Sequence, residues 1–357
     1  MANNLRSWFR NQPTCVFYSV SAQEDNLGDI AIRLRMLDWL KESADSVIVY
    51  AGPMSEEYLQ SFGFEETIDV VRSKSQVMFK LCRNLFRSRI FLVLPPGPSS
   101  FGGLRNSLRS LSTVAATLVL RASGGGVIQV GTAYRGGGPL SRRLQVFKTS
   151  LFQLCVVRDT NSIASHRSIN APDLAFQDWE STEKLERKRL TVSLRSDYEV
   201  DEKVLQQFKT IAADNGWTLT FVSQVRRDDI KHRELALKYS ADVVSWEGSH
   251  GAQFNRVKTV YAESVAMLSD RLHGLIFSSN MGALPIALVH PGNDKLTSTF
   301  QSVIDVPRVI AGSGEIPSYV IDSIRTHEQN PEILRRDLQV SRMKLNEIRL
   351  LVLGALR

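Results

Sequence analysis

Short runs rich in β-branched and aromatic residues alternate with segments of helical period twice along this chain, which limits the fold to parallel α/β layers. In the first series the expected strands are residues 15–20, 46–50, 89–94, 127–130 and 155–157. Between the first two, Ile30, Leu34, Leu37 and Leu40 recur at spacings that share one helical face. A further helix is expected over residues 104–118, with Leu108, Leu111 and Ala115 on its inner stripe.

Residues 177–189 read QDWESTEKLERKR, dense in charge and poor in apolar side chains, the composition of an interdomain linker. A second series follows, with strands at 190–194, 218–222 and 284–289 and helices at 204–213, 233–239 and 254–267. The organisation expected is an N-terminal α/β domain over 1–178, a linker over 179–189 and a C-terminal α/β domain over 190–330. A helix over 331–357 completes it, whose apolar residues from Ile333 to Leu351 require it to pack back on a domain. The 357 residues suit two domains of ~100–200 residues each. No repeat of 20–50 residues is visible, which argues against solenoids and propellers. Ligands of open α/β sheets bind outside the carboxyl ends of the strands, so a cleft between two such sheets is the expected site.

Charge is distributed unevenly. The stretch between Asp69 and Asp159 holds fourteen of the 44 Lys and Arg and none of the 37 Asp and Glu. It reads either as a solvated basic face or as the footprint of an anionic partner. Cys15, Cys82 and Cys155 are far apart and odd in number, which fits neither a disulfide framework nor structural zinc, and each lies in an apolar stretch where it is expected to pack as a small hydrophobe. No apolar h-region precedes Thr14 and no run reaches the ~20 residues of a membrane span, so the expectation is a cytoplasmic protein, with contact at the inner membrane face left open.

P-loop, complete dinucleotide, zincin and nucleophile-elbow motifs are all missing. The informative stretch is residues 269–295, SDRLHGLIFSSNMGALPIALVHPGNDK. It places Arg271 and His273 where a strand ends and a helix begins, a position that favours an anion, and Lys295 at the end of the next strand. A histidine beside an arginine also reads as a structural histidine. Arg195, ending the second domain's first strand, suits a cleft rim or a surface ion pair equally. In Asn26-Leu27-Gly28-Asp29, Gly28 permits a tight turn and Asp29 either caps the first helix or faces the cleft. His166, His232, His290 and His327 have no supporting constellation and are read as structural or solvated. The Gly124–126 and Gly136–138 runs fit phosphate cradles or plain loops, and no paired carboxylates near the Arg/His set suggest a metal.

The 269–295 stretch resembles the signature of the polysaccharide pyruvyl transferase family, with Asp270, Arg271, Leu272, His273, Gly274, Gly282, Pro285 and Lys295 fitting as one ordered block. Asn26, Gly28 and Asp29, Gly138-Pro139, Val157-Arg158-Asp159 with Ser162, Pro172 to Phe176 and Thr191 to Arg195 agree in order, so the resemblance spans roughly residues 14–305. The sequence departs from it at Ser100-Phe101-Gly102-Gly103 and in the extra glycines before Pro139, both toward the acceptor side.

The resemblance implies two Rossmann-like α/β domains in a GT-B-like arrangement with a cleft between them, the N-terminal domain on the acceptor side and the C-terminal one on the donor side. It implies transfer of pyruvate from phosphoenolpyruvate to a sugar of a polysaccharide, an exopolysaccharide or a glycan precursor, as a ketal or an enol ether, with release of phosphate. Phosphoenolpyruvate is a co-substrate, and no cofactor or metal is expected. Its carboxylate and phosphate call for forked, permanently charged donors. Carried over by position, Arg158, Arg271, His273 and Lys295 form the donor-binding set; Arg195, Asn26, Gly28 and Asp29 bind substrate. His273 is the general acid, or stays charged and holds the departing phosphate; Arg158 and Lys295 stabilise that phosphate. The acceptor is a glycan, free, nucleotide-linked or lipid-linked. Alternatives are a GT-B-type nucleotide-sugar glycosyltransferase and a basic module for nucleic acid or acidic lipid, the nucleic-acid form lacking any recognisable motif.

Overall fold

The structure is a computed structural model that describes residues 12–100, 102–162, 164–177, 185–199, 201–292 and 295–357. Two units emerge. One gathers Met1–Glu24, Ile32–Leu174 and Lys344–Arg357; the other gathers Asp25–Ala31 and Ala175–Met343. The division is thus not a single cut: the chain passes between units within two of its helices. Of the expected linker, residues 179–184 lie outside the described residues, 185–188 carry no regular structure, and Arg189 already belongs to a strand.

The first unit is built on parallel strands β1 (Thr14–Ser19), β2 (Ser46–Tyr50), β3 (Ile68–Val71), β4 (Arg89–Leu94), β5 (Gly97–Ser100), β6 (Gly126–Arg135), β7 (Leu154–Val157) and β8 (Ile169–Asn170). Their order is β3-β2-β1-β4-β6-β7-β8, with β5 also paired to β6. Helices α1 (Leu27–Lys41), α2 (Glu56–Gln60), α3 (Lys74–Asn84), α4 (Leu104–Ala122) and α5 (Pro139–Ser150) connect them. Central strands of such sheets are covered on both faces, which is why they read as continuous apolar runs. Phe17, Ile48, Ile90 and Val127 fill the core together with Cys15 and Cys155. Cys82 departs from the expected packing, because it lies exposed on α3.

Helix α4 is also turned the other way from expectation. Leu108 and Leu111 are exposed, as is Ala115, while Ser110, Thr117 and Leu120 face inward. An apolar stripe at helical spacing reveals that a face is apolar; it does not say toward what that face points.

The second unit has strands β9 (Arg189–Ser193), β10 (Thr218–Val222), β11 (Asp242–Val244), β12 (Ser264–Ser269), β13 (Leu284–Val289) and β14 (Arg308–Ile310), all parallel. Helices α6 (Glu202–Asp214), α7 (Asp229–Tyr239), α8 (His250–Ala262), α9 (Leu272–Asn280), α10 (Lys295–Phe300), α11 (Ser318–Gln329) and α12 (Glu332–Leu356) accompany them. The helix expected over 254–267 ends at Ala262, and its last residues enter β12. There, between β9 and β13, Val265 to Leu268 bury both faces, so central-sheet packing overrides local helical spacing.

The strand order β11-β10-β9-β12-β13-β14, counted along the chain, is 3-2-1-4-5-6. Chain direction around the sheet reverses between β9 and β12, which opens a crevice beyond their carboxyl ends.

Candidate active site at the switch point of the second sheet

Ser193 and Ser269 are register partners at the ends of β9 and β12. The Ser269 hydroxyl donates to the Ser193 carbonyl and accepts the Arg271 N–H at 2.9 Å, fixing the turn into α9. Just beyond lies a cavity of about 50 Å³, lined by Asn26, Arg195, Gln224, Asp270, Arg271, His273 and Lys295 with Leu272 and Leu296. At ~10–15 Å³ of such space per water, it has room for a few waters or one small anionic group.

Each polar wall is held by its own partners. The Arg271 guanidinium forks onto Asp228, with Nε and Nη2 donating at 2.8 and 2.7 Å to a carboxylate that has no exposed surface. Asp228 also accepts the Ser196 N–H at 2.9 Å. Asp270 accepts the Arg195 N–H at 2.8 Å on one oxygen and meets His290 Nε2 at 3.0 Å on the other; burial raises its pKa. The His290 ring stacks on Tyr198 at 3.8 Å, and the Arg195 guanidinium lies 5.0 Å from the centroid of the same ring. Arg195 binds Asp197, which holds that carboxyl at a pKa of about 2. The loop from Arg195 to Tyr198 is clamped from behind by Lys231 Nζ, which donates to the Arg195 and Tyr198 carbonyls at 2.7 and 2.6 Å.

His273 stands in the first turn of α9, where the backbone of Arg271 is the cap and no side chain caps the helix. A first turn of this kind favours an anion. The imidazole packs against the first turn of α1: a Cβ on Gly28 would lie 2.0 Å from Nδ1 and 2.5 Å from the His273 Cβ. Gly28 is therefore required by this close approach, and its backbone is in the ordinary range; the expected role in a tight turn is replaced. Asn26, and not Asp29, caps α1, its Oδ1 accepting the Gly28 N–H at 3.0 Å. Asp29 is in the first turn of α1 but is not among the residues lining the cavity.

Arg271, His273, Lys295, Arg195, Asn26 and Gly28 thus belong to one neighbourhood of the second unit. Arg158 belongs to the first unit. It follows β7, is 1% exposed and is salt-bridged to the equally buried Asp173. The neighbouring Asp159 takes Arg135 at 3.0 and 2.6 Å and the Ser162 hydroxyl at 2.8 Å. The Val157-Arg158-Asp159 segment is accordingly a buried polar lock, in which Arg158, expected beside departing phosphate, pairs with Asp173 in an ion pair whose rupture costs about 3–5 kcal/mol.

Four contributors escaped the sequence reading: Asp228, Gln224, Tyr198 and His290. Gln224 is almost fully buried, and its Oε1 finds no hydrogen-bond partner among the described residues. His290 could have been found by position, since it directly follows β13 as Asp270 directly follows β12. His232, in contrast, is a core histidine: Nε2 accepts the Leu194 N–H at 2.9 Å, Nδ1 lies 3.0 Å from the Ser223 hydroxyl, and burial lowers its pKa to about 4. Among the described residues no group of three or more His, Cys, Asp or Glu is placed to hold a metal ion.

Two Rossmann-like domains with parallel sheets define the GT-B class. The chain is similar to the UDP-GlcNAc 2-epimerase of Neisseria meningitidis, solved bound to UDP-GlcNAc, at 11% identity over 96% of this chain and 99% of that one, with a TM-score of 0.55. It is also similar to Phytolacca americana UGT2, complexed with UDP-2fluoro-glucose and pterostilbene, at 10% identity over 95% and 98% of the two chains and a TM-score of 0.54. Arabidopsis thaliana UGT89C1, complexed with UDP-L-rhamnose, is similar at 13% identity over 95% and 94%, with a TM-score of 0.52. These likenesses show the fold. No curated protein matches the chain. Residues 26–290 match the polysaccharide pyruvyl transferase family, and the chain belongs to that family.

Proposed function

We propose that this protein transfers pyruvate from phosphoenolpyruvate to two hydroxyls of a glycan acceptor, forming a cyclic ketal and releasing phosphate. The observation that carries the reading is the small cavity at the switch point, where Arg195, Arg271, His273 and Lys295 line one rim together. A carboxylate and a phosphate on one carbon need several fixed cationic donors, and Arg271 is held for this by its fork to Asp228.

In the proposed reaction the enol methylene carbon takes a proton from His273, giving an oxocarbenium centre that the first sugar hydroxyl attacks. The C–O bond to phosphate then breaks with stabilisation from Lys295 and Arg271, and the second hydroxyl closes the ketal. Of the two hydroxyl protons, one balances that gained by the methyl group and the other leaves with hydrogen phosphate. Loss of a proton from the methyl carbon after phosphate departure would instead leave an enol ether. Asn26 and Arg195 are assigned to substrate binding.

The test is phosphate release from phosphoenolpyruvate across free, nucleotide-linked and lipid-linked glycans. Release with one acceptor class and a thermal shift with phosphoenolpyruvate are expected. A shift with nucleotide sugars alone would instead identify a glycosyltransferase.

A further inference from the structure

Helix α4 in the first unit carries its apolar stripe outward. Leu104, Leu108, Leu111, Ala115 and Leu118 recur at helical spacing and are all exposed, with Leu104 at 78% and Leu108 at 58%. The adjoining α5, which packs against α4, adds exposed Leu140 and Phe147. Exposed arginines stand beside these side chains: Arg105 and Arg109 on α4, Arg142 and Arg143 on α5. None of the four forms an ion pair with a carboxylate among the described residues, as the sequence requires locally, since no acidic residue occurs between Asp69 and Asp159.

We propose that the α4–α5 face docks on an anionic lipid bilayer. Exposed apolar side chains in a contiguous stripe mark an interaction surface. An apolar stripe bordered by arginines is the pattern of a helix that lies in the plane of a membrane interface, leucines in the acyl boundary and guanidinium groups among the headgroups. Charge decides the occupant. A second copy of the chain would bring two acid-free, arginine-rich faces together, and nucleic acid would leave the leucines unmatched; a bilayer with acidic headgroups satisfies both components.

This inference stands apart from the proposed chemistry, because it is read without substrate. The full chain is floated with phosphatidylcholine vesicles with and without phosphatidylglycerol. Binding only to the acidic vesicles is expected, and it should weaken with added salt. Arg105→Gln and Arg109→Gln should each weaken partition about fivefold. Leu108→Glu with Leu111→Glu should abolish it, and these exposed substitutions should leave the melting temperature unchanged. Absence of flotation, flotation of the leucine variant like the wild type, or a dimer that the leucine variant breaks would overturn the proposal.

Discussion

The Nδ1 edge of His273 occupies the space that any side chain at position 28 would need, 2.0 Å from the site of a Gly28 Cβ. Ring rotation cannot relieve this contact, because the His273 Cβ itself would lie 2.5 Å away. Gly28→Ala must therefore push the first turns of α1 and α9 apart, a cost of about 1–3 kcal/mol for overpacking. Turnover should fall with the loss of stability as His273 is displaced. Adding His273→Gly, which removes the Cβ as well as the ring, to Gly28→Ala should recover part of the lost melting temperature without restoring activity. A double-mutant cycle in thermal unfolding checks this, and additive effects would show that the two residues are not in contact.

Arg158 and Asp173 form a buried pair, so replacing one member strands the other's charge. Arg158→Met is expected to destabilise by about 3–5 kcal/mol, and the added change Asp173→Leu should recover much of that loss. Urea unfolding of the single and double variants measures it. A stable, inactive Arg158→Met would show that Arg158 acts in the chemistry and not in stability.

His232 makes the stability of the second unit depend on pH. Burial holds its folded pKa at about 4 against an ordinary 6.5. Between these values the unfolded chain binds the extra proton, so the contribution is full above 6.5 and is lost as pH falls to about 4, amounting to about 3 kcal/mol. The raised carboxyl of Asp270 has the opposite sign, its contribution falling as pH rises above the ordinary 3.8. Urea midpoints at pH 7 and pH 4.5 should differ for the wild type. His232→Gln, which can still accept the Leu194 N–H, should be less stable at pH 7 and flatter with pH.

How much of this was legible in the chain differs by the kind of contact. The buried parallel strands announced themselves because β1, β4 and β13 are largely continuous apolar runs, a pattern local to a few residues. Of strand β12 only the end near Ser269 was visible; its start was hidden because its residues continue the apolar spacing of α8, and only the neighbours β9 and β13 decide between the two. The positions of Arg271, His273 and Lys295 followed from one strand-turn-helix unit. Arg158 stands in an equivalent position after a strand, yet its partner arrives fifteen residues later from a separate segment, and sequence spacing carries no sign of that pairing. The same holds for Asp228, which reaches Arg271 across 43 residues.

The sharpest test concerns Arg271 and His273, neighbours on one turn with separable tasks. Arg271 is held rigid by Asp228, so Arg271→Lys removes the fork while keeping the charge, and the expected result is a raised KM for phosphoenolpyruvate. His273→Gln keeps a polar side chain of similar reach but cannot donate a proton to carbon. If His273 is the general acid, kcat should fall by about 10²–10⁴ with little change in KM, and the pH–rate profile should lose its histidine limb. If His273 only holds phosphate as a cation, the loss should appear in KM and product inhibition by phosphate should weaken. Steady-state kinetics with phosphate release as the readout separates the two, and wild-type kcat in His273→Gln would remove the proposed acid.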